Sequence, residues 1–265
     1  MTELHLLTIA LVQGLTEFLP ISSSGHLVLI PYLTQWPDQG IAVDVAAHLG
    51  TLIAVCTYFW RDLHTLSVDA LHSCQRRHFV GDGFLALAIV AGTIPVGLFG
   101  LAAYDFISGQ LRTTEVIATT TIVFGALLWW ADRRGRQTRE IRTLNLRDVL
   151  LVGCAQALAL VPGTSRSGIT ITAGLALGLT REAATRFSFL LSIPVIVLAS
   201  GVAVLDLVEQ SVSVDWGPMF GVFALSALSA FACIHFFLSF VNRIGMLPFV
   251  LYRFVLGAVL IVFVL

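Results

Sequence analysis

Two polar segments interrupt apolar runs of this chain and carry the side chains best suited to chemistry. The first begins at Gln13 and contains Glu17, and the second begins at Gln156, an offset of 143 residues, and contains Arg166. Ionisable groups at bilayer depth are costly and are usually kept there for function. One segment supplies a carboxylate and the other a guanidinium, so the pattern predicts a polar site built from both.

Gln13 and Glu17 are four residues apart, so their side chains share one face of a first short helix. Near a helix C-terminus the macrodipole disfavours an ionised Glu17 unless the carboxylate faces a cation. That cation is either Arg166 or a divalent metal, and a neutral Glu17 donating to a carbonyl is the remaining alternative. Because Glu and Gln offer hard oxygen ligands, we expect Mg²⁺ or Ca²⁺, with Glu17 and Gln13 as its ligands.

Each polar segment continues, after a proline, into a Ser-rich helix start. A Ser N-cap leaves unpaired backbone amides at the start of the helix, and such amides attract anions. The second segment adds glycines for close backbone approach and a guanidinium that grips phosphate. Ser-rich starts also cap helices without a ligand, but the presence of Glu17 and Arg166 favours a phosphate site. The expected phosphate-binding residues are Gly163, Ser165, Arg166, Ser167, Gly168 and Thr170.

His26 lies three residues beyond Ser23, within one helical turn, which gives a potential base and nucleophile. Phosphoryl transfer needs a nucleophile, a proton acceptor and cations that stabilise the phosphoryl oxygens. The sequence therefore predicts four catalytic residues, which are Glu17, Ser23, His26 and Arg166.

The composition determines the class of protein that carries these groups. The 265 residues are 57% hydrophobic and 12% charged, with a mean hydropathy of +0.90, which predicts an all-α integral membrane protein. The net charge of −1 gives no reason to expect a nucleic-acid partner. The four Cys show no C-x-x-C spacing, and we expect no function for them.

Six segments are long and apolar enough to cross a bilayer, and shorter ones form two re-entrant hairpins. The spans are 41–60, 83–104, 115–131, 182–207, 216–241 and 247–265. The hairpins pair 3–18 with 24–35 and 147–161 with 166–178. Non-helical backbone at membrane depth is tolerated only inside protein or beside a water-filled cavity, so both breaks should line a buried pocket.

Each half of the chain thus has one hairpin and three spans, and three is odd, so the second half is inverted. We expect a single membrane domain over 1–265, with repeats over 1–131 and 148–265 and an Arg-rich linker over 132–147. This layout places eleven Arg residues on one side and only Arg112 on the other. By the positive-inside rule the Arg-rich side is cytoplasmic, so both termini and the mouth of the first hairpin are periplasmic.

The two segments resemble the motifs of a known family, the integral-membrane undecaprenyl pyrophosphate phosphatases linked to bacitracin resistance. Its first motif, Glu or Gln followed four residues later by Glu, matches Gln13 and Glu17. Its second, Pro-Gly-x-Ser-Arg-Ser-x-x-Thr, matches Pro162 to Thr170. The resemblance runs almost end to end and includes Tyr252 to Gly257.

This resemblance implies hydrolysis of the C55 isoprenyl pyrophosphate to the monophosphate carrier lipid of cell-wall synthesis, in the bacterial inner membrane, with Mg²⁺ or Ca²⁺. It also implies a pocket open to the periplasm. Direct attack by water stays open beside attack by a serine, since both need the same residues. The implied roles are Glu17 as essential carboxylate and metal ligand assisted by Gln13, Ser23 as nucleophile, His26 as its acid or base, and Arg166 with Ser165 and Thr170 as phosphate clamp.

A different class of function fits the same architecture. Inverted repeats with broken helices at the midplane are typical of transporters, so a flippase or anion transporter for lipid phosphates is the alternative. A flippase needs anion binding but no nucleophile, so Ser23 and His26 distinguish the two. The expected partners are the polyprenyl pyrophosphate substrate and membrane lipids, and the sequence leaves a homodimer open.

Overall fold

The computed structural model describes residues 2–34, 36–37, 39–103, 110–111, 113–209 and 215–264. Within these ranges the chain is helical and has no β-strand, and 3-10 turns lie at Ile141–Thr143 and Leu158–Leu160. The helices are α1 (Glu3–Thr16), α2 (Ser23–Thr34), α3 (Gly40–Tyr58), α4 (Trp60–Arg76), α5 (Gly83–Ala102), α6 (Thr114–Arg134), α7 (Leu146–Ala157), α8 (Arg166–Ala176), α9 (Arg181–Glu209), α10 (Trp216–Ile244) and α11 (Leu247–Val264).

Five helices of the described chain, α3, α5, α6, α9 and α10, are long and apolar enough to cross a membrane. The expected all-α, multi-pass membrane class is therefore confirmed. The sixth expected span, 247–265, corresponds to α11, whose described apolar part is shorter than the other five. Arg112, expected alone on the outer side, lies outside the described residues.

The segment 61–82, expected between two spans, is mostly the helix α4. This helix is amphipathic, and Leu66 is its buried residue. Its start is fixed to the membrane part of the fold, because Arg186 of α9 donates to Asp62 at 2.6 Å. Arg186 also lies over the ring of Phe59, 5.3 Å from its centroid.

The chain that connects α6 to α7 spans 135–145 and lies within the expected linker 132–147. Helix α6 continues through Arg134, and α7 begins at Leu146. Asn145 and Asp148 form a capping box that fixes the start of α7, since each side chain accepts from the other residue's backbone N–H. Between these helices the backbone of Arg139 pairs with the chain that follows α8.

Each hairpin packs its first helix against a helix from the other half of the chain. Helix α1 lies along α10, and α7 lies along α5. A Cβ on Gly14 would stand 2.7 Å from the backbone oxygen of Ser226, and one on Gly153 would stand 2.7 Å from that of Gly92. Both contacts therefore require glycine. The second helices, α2 and α8, both reach α6, which brings the two breaks together in the interior.

Candidate active site

The two helix breaks end in the same local structure. Ser22 before α2 and Ser165 before α8 have φ values of 71° and 70°. Such values are uncommon for residues other than glycine. The Ser22 hydroxyl accepts from the N–H of Gly25 at 3.3 Å, and the Ser165 hydroxyl accepts from the N–H of Gly168 at 3.1 Å. The expected Ser caps are thus present. Ser22 and Ser165 are separated by the same 143 residues as Gln13 and Gln156.

Hydrogen bonds join the two breaks directly. Gly163 donates its N–H to the Ser24 hydroxyl at 3.2 Å, and the Ser167 hydroxyl donates to the carbonyl of Leu19 at 2.9 Å. Gly163 has a φ of +87°, and a Cβ there would stand 2.5 Å from the Ile117 carbonyl oxygen. The hairpins therefore meet tip to tip, and glycine is needed at that meeting point.

Glu17 lies at the centre of this meeting point, one residue past the end of α1. Its Oε1 accepts from Arg166 at 3.2 Å, and its Oε2 accepts from Gln13 Nε2 at 2.9 Å and from the Ser23 hydroxyl at 3.2 Å. The Glu17 and Arg166 side chains are only 9% and 11% exposed. Ser23 and Arg166 are each the first residue of their helix. A hydroxyl and a cation therefore approach one carboxylate from two halves of the chain.

His26 does not bond to Ser23, although their spacing in the sequence suggested that pair. Its Nδ1–H donates to the carbonyl of Ser22 at 2.7 Å, so the neutral ring has an unprotonated Nε2. Tyr252 donates its hydroxyl to that Nε2 at 2.6 Å, and the two rings stack with centroids 5.4 Å apart. The acceptor of the Ser23 hydroxyl is Glu17, which corrects the expected geometry of nucleophile and base.

The remaining residues of the second segment bond mostly within the protein. Thr170 Oγ1 donates to the carbonyl of Arg166 at 2.9 Å and lies 2.7 Å from the Ser188 hydroxyl. Ser188 in turn accepts from Arg166 through its carbonyl at 3.2 Å. Thr170 and Ser188 therefore hold Arg166 in place, and the polar hydroxyl of Ser188 on α9 is a contributor that sequence reasoning missed.

Backbone amides are available to an anion at this point. Within the described chain, no group accepts from the N–H of Ser23, Ser24, Arg166 or Ser167, the first two residues of α2 and α8. Such amides point out of the helix start and carry its positive partial charge. Two helix starts and one guanidinium thus lie together in the interior, an arrangement that suits phosphate.

Arg253 of α11 is a second residue whose contacts at the breaks the sequence did not predict. Its side chain is fully buried, and no carboxylate of the described chain pairs with it. Its sequence signals were an arginine inside an apolar span and its place in the stretch Tyr252 to Gly257 that resembles the family. Its guanidinium donates to the backbone carbonyls of Pro20, Thr120, Thr121, Gly163 and Thr164 at 2.9–3.4 Å. Because these carbonyls come from both breaks and from α6, Arg253 ties the two tips together.

Replacing Arg253 with Met should destabilise the folded protein by about 3 kcal/mol or more, because several buried carbonyls lose their donor at once. Thermal unfolding in detergent measures this effect. Arg243→Gln, which removes an exposed arginine at the end of α10, is the matched control and should unfold like the unmodified protein. Equal unfolding temperatures for the Arg253 and Arg243 variants would contradict the role of Arg253.

The donor groups around Glu17 fit a hard divalent cation. Gln13 is buried, and its Oε1 has no hydrogen-bond partner within the described chain. A buried amide oxygen without a donor beside a carboxylate is a suitable oxygen ligand. The described residues contain no group of three or more His, Cys, Asp or Glu side chains able to hold a metal ion. A cation here therefore needs further oxygens from a bound phosphate or water.

Comparison with known proteins gives one consistent result. The profile of the family described as bacitracin resistance protein BacA matches residues 6–259. The chain is 58% identical over 265 residues to undecaprenyl-diphosphatase 2 of Stutzerimonas stutzeri (strain A1501), covering 99% of this chain and 98% of that protein. It is 55% identical over 260 residues to undecaprenyl-diphosphatase of Nitrosococcus oceani, covering 98% of each. It is 54% identical to undecaprenyl-diphosphatase of Teredinibacter turnerae, covering 99% of each.

Proposed function

Because this chain belongs to the bacitracin resistance protein BacA family, we propose that it hydrolyses undecaprenyl pyrophosphate to undecaprenyl phosphate and inorganic phosphate. The observation that carries this proposal is the position of Glu17, whose two oxygens accept from Ser23 and from Arg166. A hydroxyl, its proton acceptor and a cation for phosphoryl oxygens are the groups that such a reaction needs. The product restores the carrier lipid of cell-wall synthesis.

In the proposed reaction the terminal phosphoryl group lies against Arg166 and the open amides of α2 and α8. The Ser23 oxygen attacks the terminal phosphorus while Glu17 takes the hydroxyl proton. The bond from that phosphorus to the bridging oxygen breaks, and undecaprenyl phosphate leaves with the bond's electron pair. Glu17 passes the proton it took to the departing phosphate oxygen and is again a carboxylate. Water then attacks the phosphorus bound to Ser23 while Glu17 takes a proton from the water. The bond from that phosphorus to the Ser23 oxygen breaks, inorganic phosphate leaves, and Glu17 returns the proton to the Ser23 oxygen. Direct attack by water on the substrate is the alternative route.

His26 and Tyr252 form a second proton-carrying pair beside this centre. Tyr252 is partly exposed, and its hydroxyl is bonded to Nε2 of His26. We assign His26 the exchange of protons between the site and its surroundings through that hydroxyl. Tyr252 fixes the orientation of the ring and is a positioning residue.

Glu17 and Gln13 are the proposed ligands of Mg²⁺ or Ca²⁺. When bound, the cation would neutralise charge on the diphosphate oxygens. Gln13 keeps its Nε2 on Glu17, which leaves its Oε1 for the metal. In this role Gln13 also fixes the carboxylate orientation.

The arrangement in the membrane is part of the same proposal. We propose two inverted repeats, six spans and a site open to the periplasm. The matching Ser caps of the two breaks support the repeats. The repeats are also supported by packing between the two halves, in which α1 packs on α10 and α7 on α5. The concentration of Arg in the segments around 133–147 supports a cytoplasmic linker and periplasmic termini.

Replacing Ser23 with Ala should lower the rate of phosphate release by roughly 10³ or more, since the nucleophile is removed. His26→Ala should lower it by about 10². Phosphate release from a polyprenyl pyrophosphate by purified protein with Mg²⁺ or Ca²⁺ measures both. Thr65→Ala, which removes an exposed hydroxyl of α4, is the control for loss of a hydroxyl and should keep full activity.

The same variants separate hydrolysis from lipid transport. A flippase with an anion site needs neither Ser23 nor His26, so movement of a labelled lipid phosphate across vesicles would survive both substitutions. Phosphate release that survives Ser23→Ala would favour direct attack by water. A protein that moves the lipid but never releases phosphate would overturn the proposed hydrolysis.

A further inference from the structure

A cavity of about 530 Å³ lies at the end of α8 that is far from Arg166. Helix α8 has 11 residues, so the two ends are about 16 Å apart. The last turns of α6, the linker and the C-terminus of α8 enclose the cavity. The residues that matter here are Trp130, Arg134, Arg136, Arg139, Ala176 and Leu177.

Arg139 is fixed by bonds within the protein. Its guanidinium donates to Asp148 at 2.6 Å, to the Leu177 carbonyl at 3.0 Å and to the Thr143 carbonyl at 2.7 Å. Backbone bonds from residues 138 and 139 to the Gly178 carbonyl also hold the linker against the end of α8. This wall of the cavity is therefore preformed.

Arg134 and Arg136 are different, because neither has a bonded partner within the described residues. The two buried carboxylates nearby, Asp132 and Asp148, are already engaged. Asp148 accepts from Arg139, and Asp132 accepts from Arg181 at 2.6 and 3.1 Å. Two uncompensated guanidiniums thus face a cavity, and this favours a bound anion, with phosphate as the best geometric match.

The other wall indicates that the anion belongs to a lipid. Trp130 lies near the end of the apolar helix α6 and is 53% exposed. Tryptophan is enriched where a membrane meets water. Ala176 and Leu177 add apolar surface beside the arginines. A free phosphate has no apolar part to bury against such a surface. A phospholipid can place its headgroup on the arginines and an acyl chain along the tryptophan.

We propose that this cavity binds the phosphate headgroup of an anionic phospholipid such as phosphatidylglycerol. Bound lipid would join the linker to α8 at the end opposite the candidate active site, and so stabilise the helix that carries Arg166. The site is separate from the residues around Glu17, and it needs neither the proposed hydrolysis nor its metal.

The test compares lipid binding by two double variants of the full chain. Arg134→Gln/Arg136→Gln removes the two unpaired arginines of the cavity. Arg133→Gln/Arg147→Gln removes the same charge from exposed arginines that do not line it. Native mass spectrometry of delipidated protein, titrated with phosphatidylglycerol or phosphatidylcholine, gives the affinity.

We expect the cavity variant to bind phosphatidylglycerol roughly tenfold more weakly or worse, and the control variant to bind like the unmodified chain. Equal weakening in both variants would overturn the proposal, since it would show attraction to general positive charge. Equal affinity for phosphatidylcholine would also overturn it. Displacement of the lipid by millimolar inorganic phosphate would show that a free anion, rather than a lipid, occupies the cavity. If the double variant does not fold, Arg134→Gln and Arg136→Gln are measured singly against Arg133→Gln with the same criteria.

Discussion

Replacing Arg166 with Ala is expected to lower the rate of phosphate release by about 10² or more, the usual effect of removing one preorganised charge stabiliser. The guanidinium is held by Glu17, by the carbonyl of Ser188 and by the face of Phe18, 5.9 Å from its ring centroid. Its loss removes the cation proposed to stabilise the phosphoryl oxygens and leaves Glu17 buried without its ion-pair partner. Initial rates with a polyprenyl pyrophosphate and Mg²⁺ or Ca²⁺ measure the effect.

The chain contains a matched control for this substitution. Arg186 also pairs with a carboxylate, Asp62, and also lies over a phenylalanine ring, that of Phe59, but it is away from the helix breaks. Arg186→Ala should therefore keep the rate within a few-fold. Arg166→Lys should recover part of the activity, because lysine keeps the charge but not the paired donors. Undiminished turnover by Arg166→Ala would remove this residue from the mechanism.

Replacing Glu17 with Gln should lower the same rate by roughly 10³ or more, since one change removes the proposed proton acceptor of Ser23 and a proposed ligand of the metal. The substitution preserves size, so the helix break should keep its shape. Asp62→Asn is the control, because it neutralises the carboxylate of the other arginine pair. Rates measured over a range of metal concentrations show whether metal affinity falls together with turnover.

The double variant Glu17→Gln/Arg166→Ala tests whether the two residues act as one unit. They share a hydrogen bond, so the combined loss should be much smaller than the product of the single losses. Losses that multiply in full would show that the two groups act independently. A loss of rate below tenfold for Glu17→Gln alone would contradict the proposed role of Glu17 in the reaction.

Most of the fold follows from local properties of the chain. A helix that crosses a bilayer needs a long apolar run, so the ranges of α3, α5, α6, α9 and α10 were predictable within a few residues. The two breaks were predictable because proline and polar residues interrupt short apolar runs. The helix α4 was not predicted, because its polar character matched that of a connecting segment.

The candidate site was predictable in its residue types but not in all its pairings. The prediction that Glu17 and Arg166 meet follows from the cost of burying either charge alone, and the structure pairs them. The spacing of Ser23 and His26 suggested a second pair, and the structure does not form it. The Ser22 carbonyl bonds to Nδ1 of His26, and the Tyr252 hydroxyl bonds to Nε2. Local spacing could not indicate the second bond, because Tyr252 is distant in the sequence.

The sequence by itself determined the membrane class, the places where helices break and the charged groups that must be buried there, because these depend on hydrophobic length and on the cost of desolvating a charge. Only the tertiary structure decided which donor meets which acceptor. Arg253 shows the reason, because its carbonyl partners belong to three segments far apart in the chain. Hydrogen bonds require separations of about 3 Å, and only the packed arrangement of both halves brings such distant atoms that close.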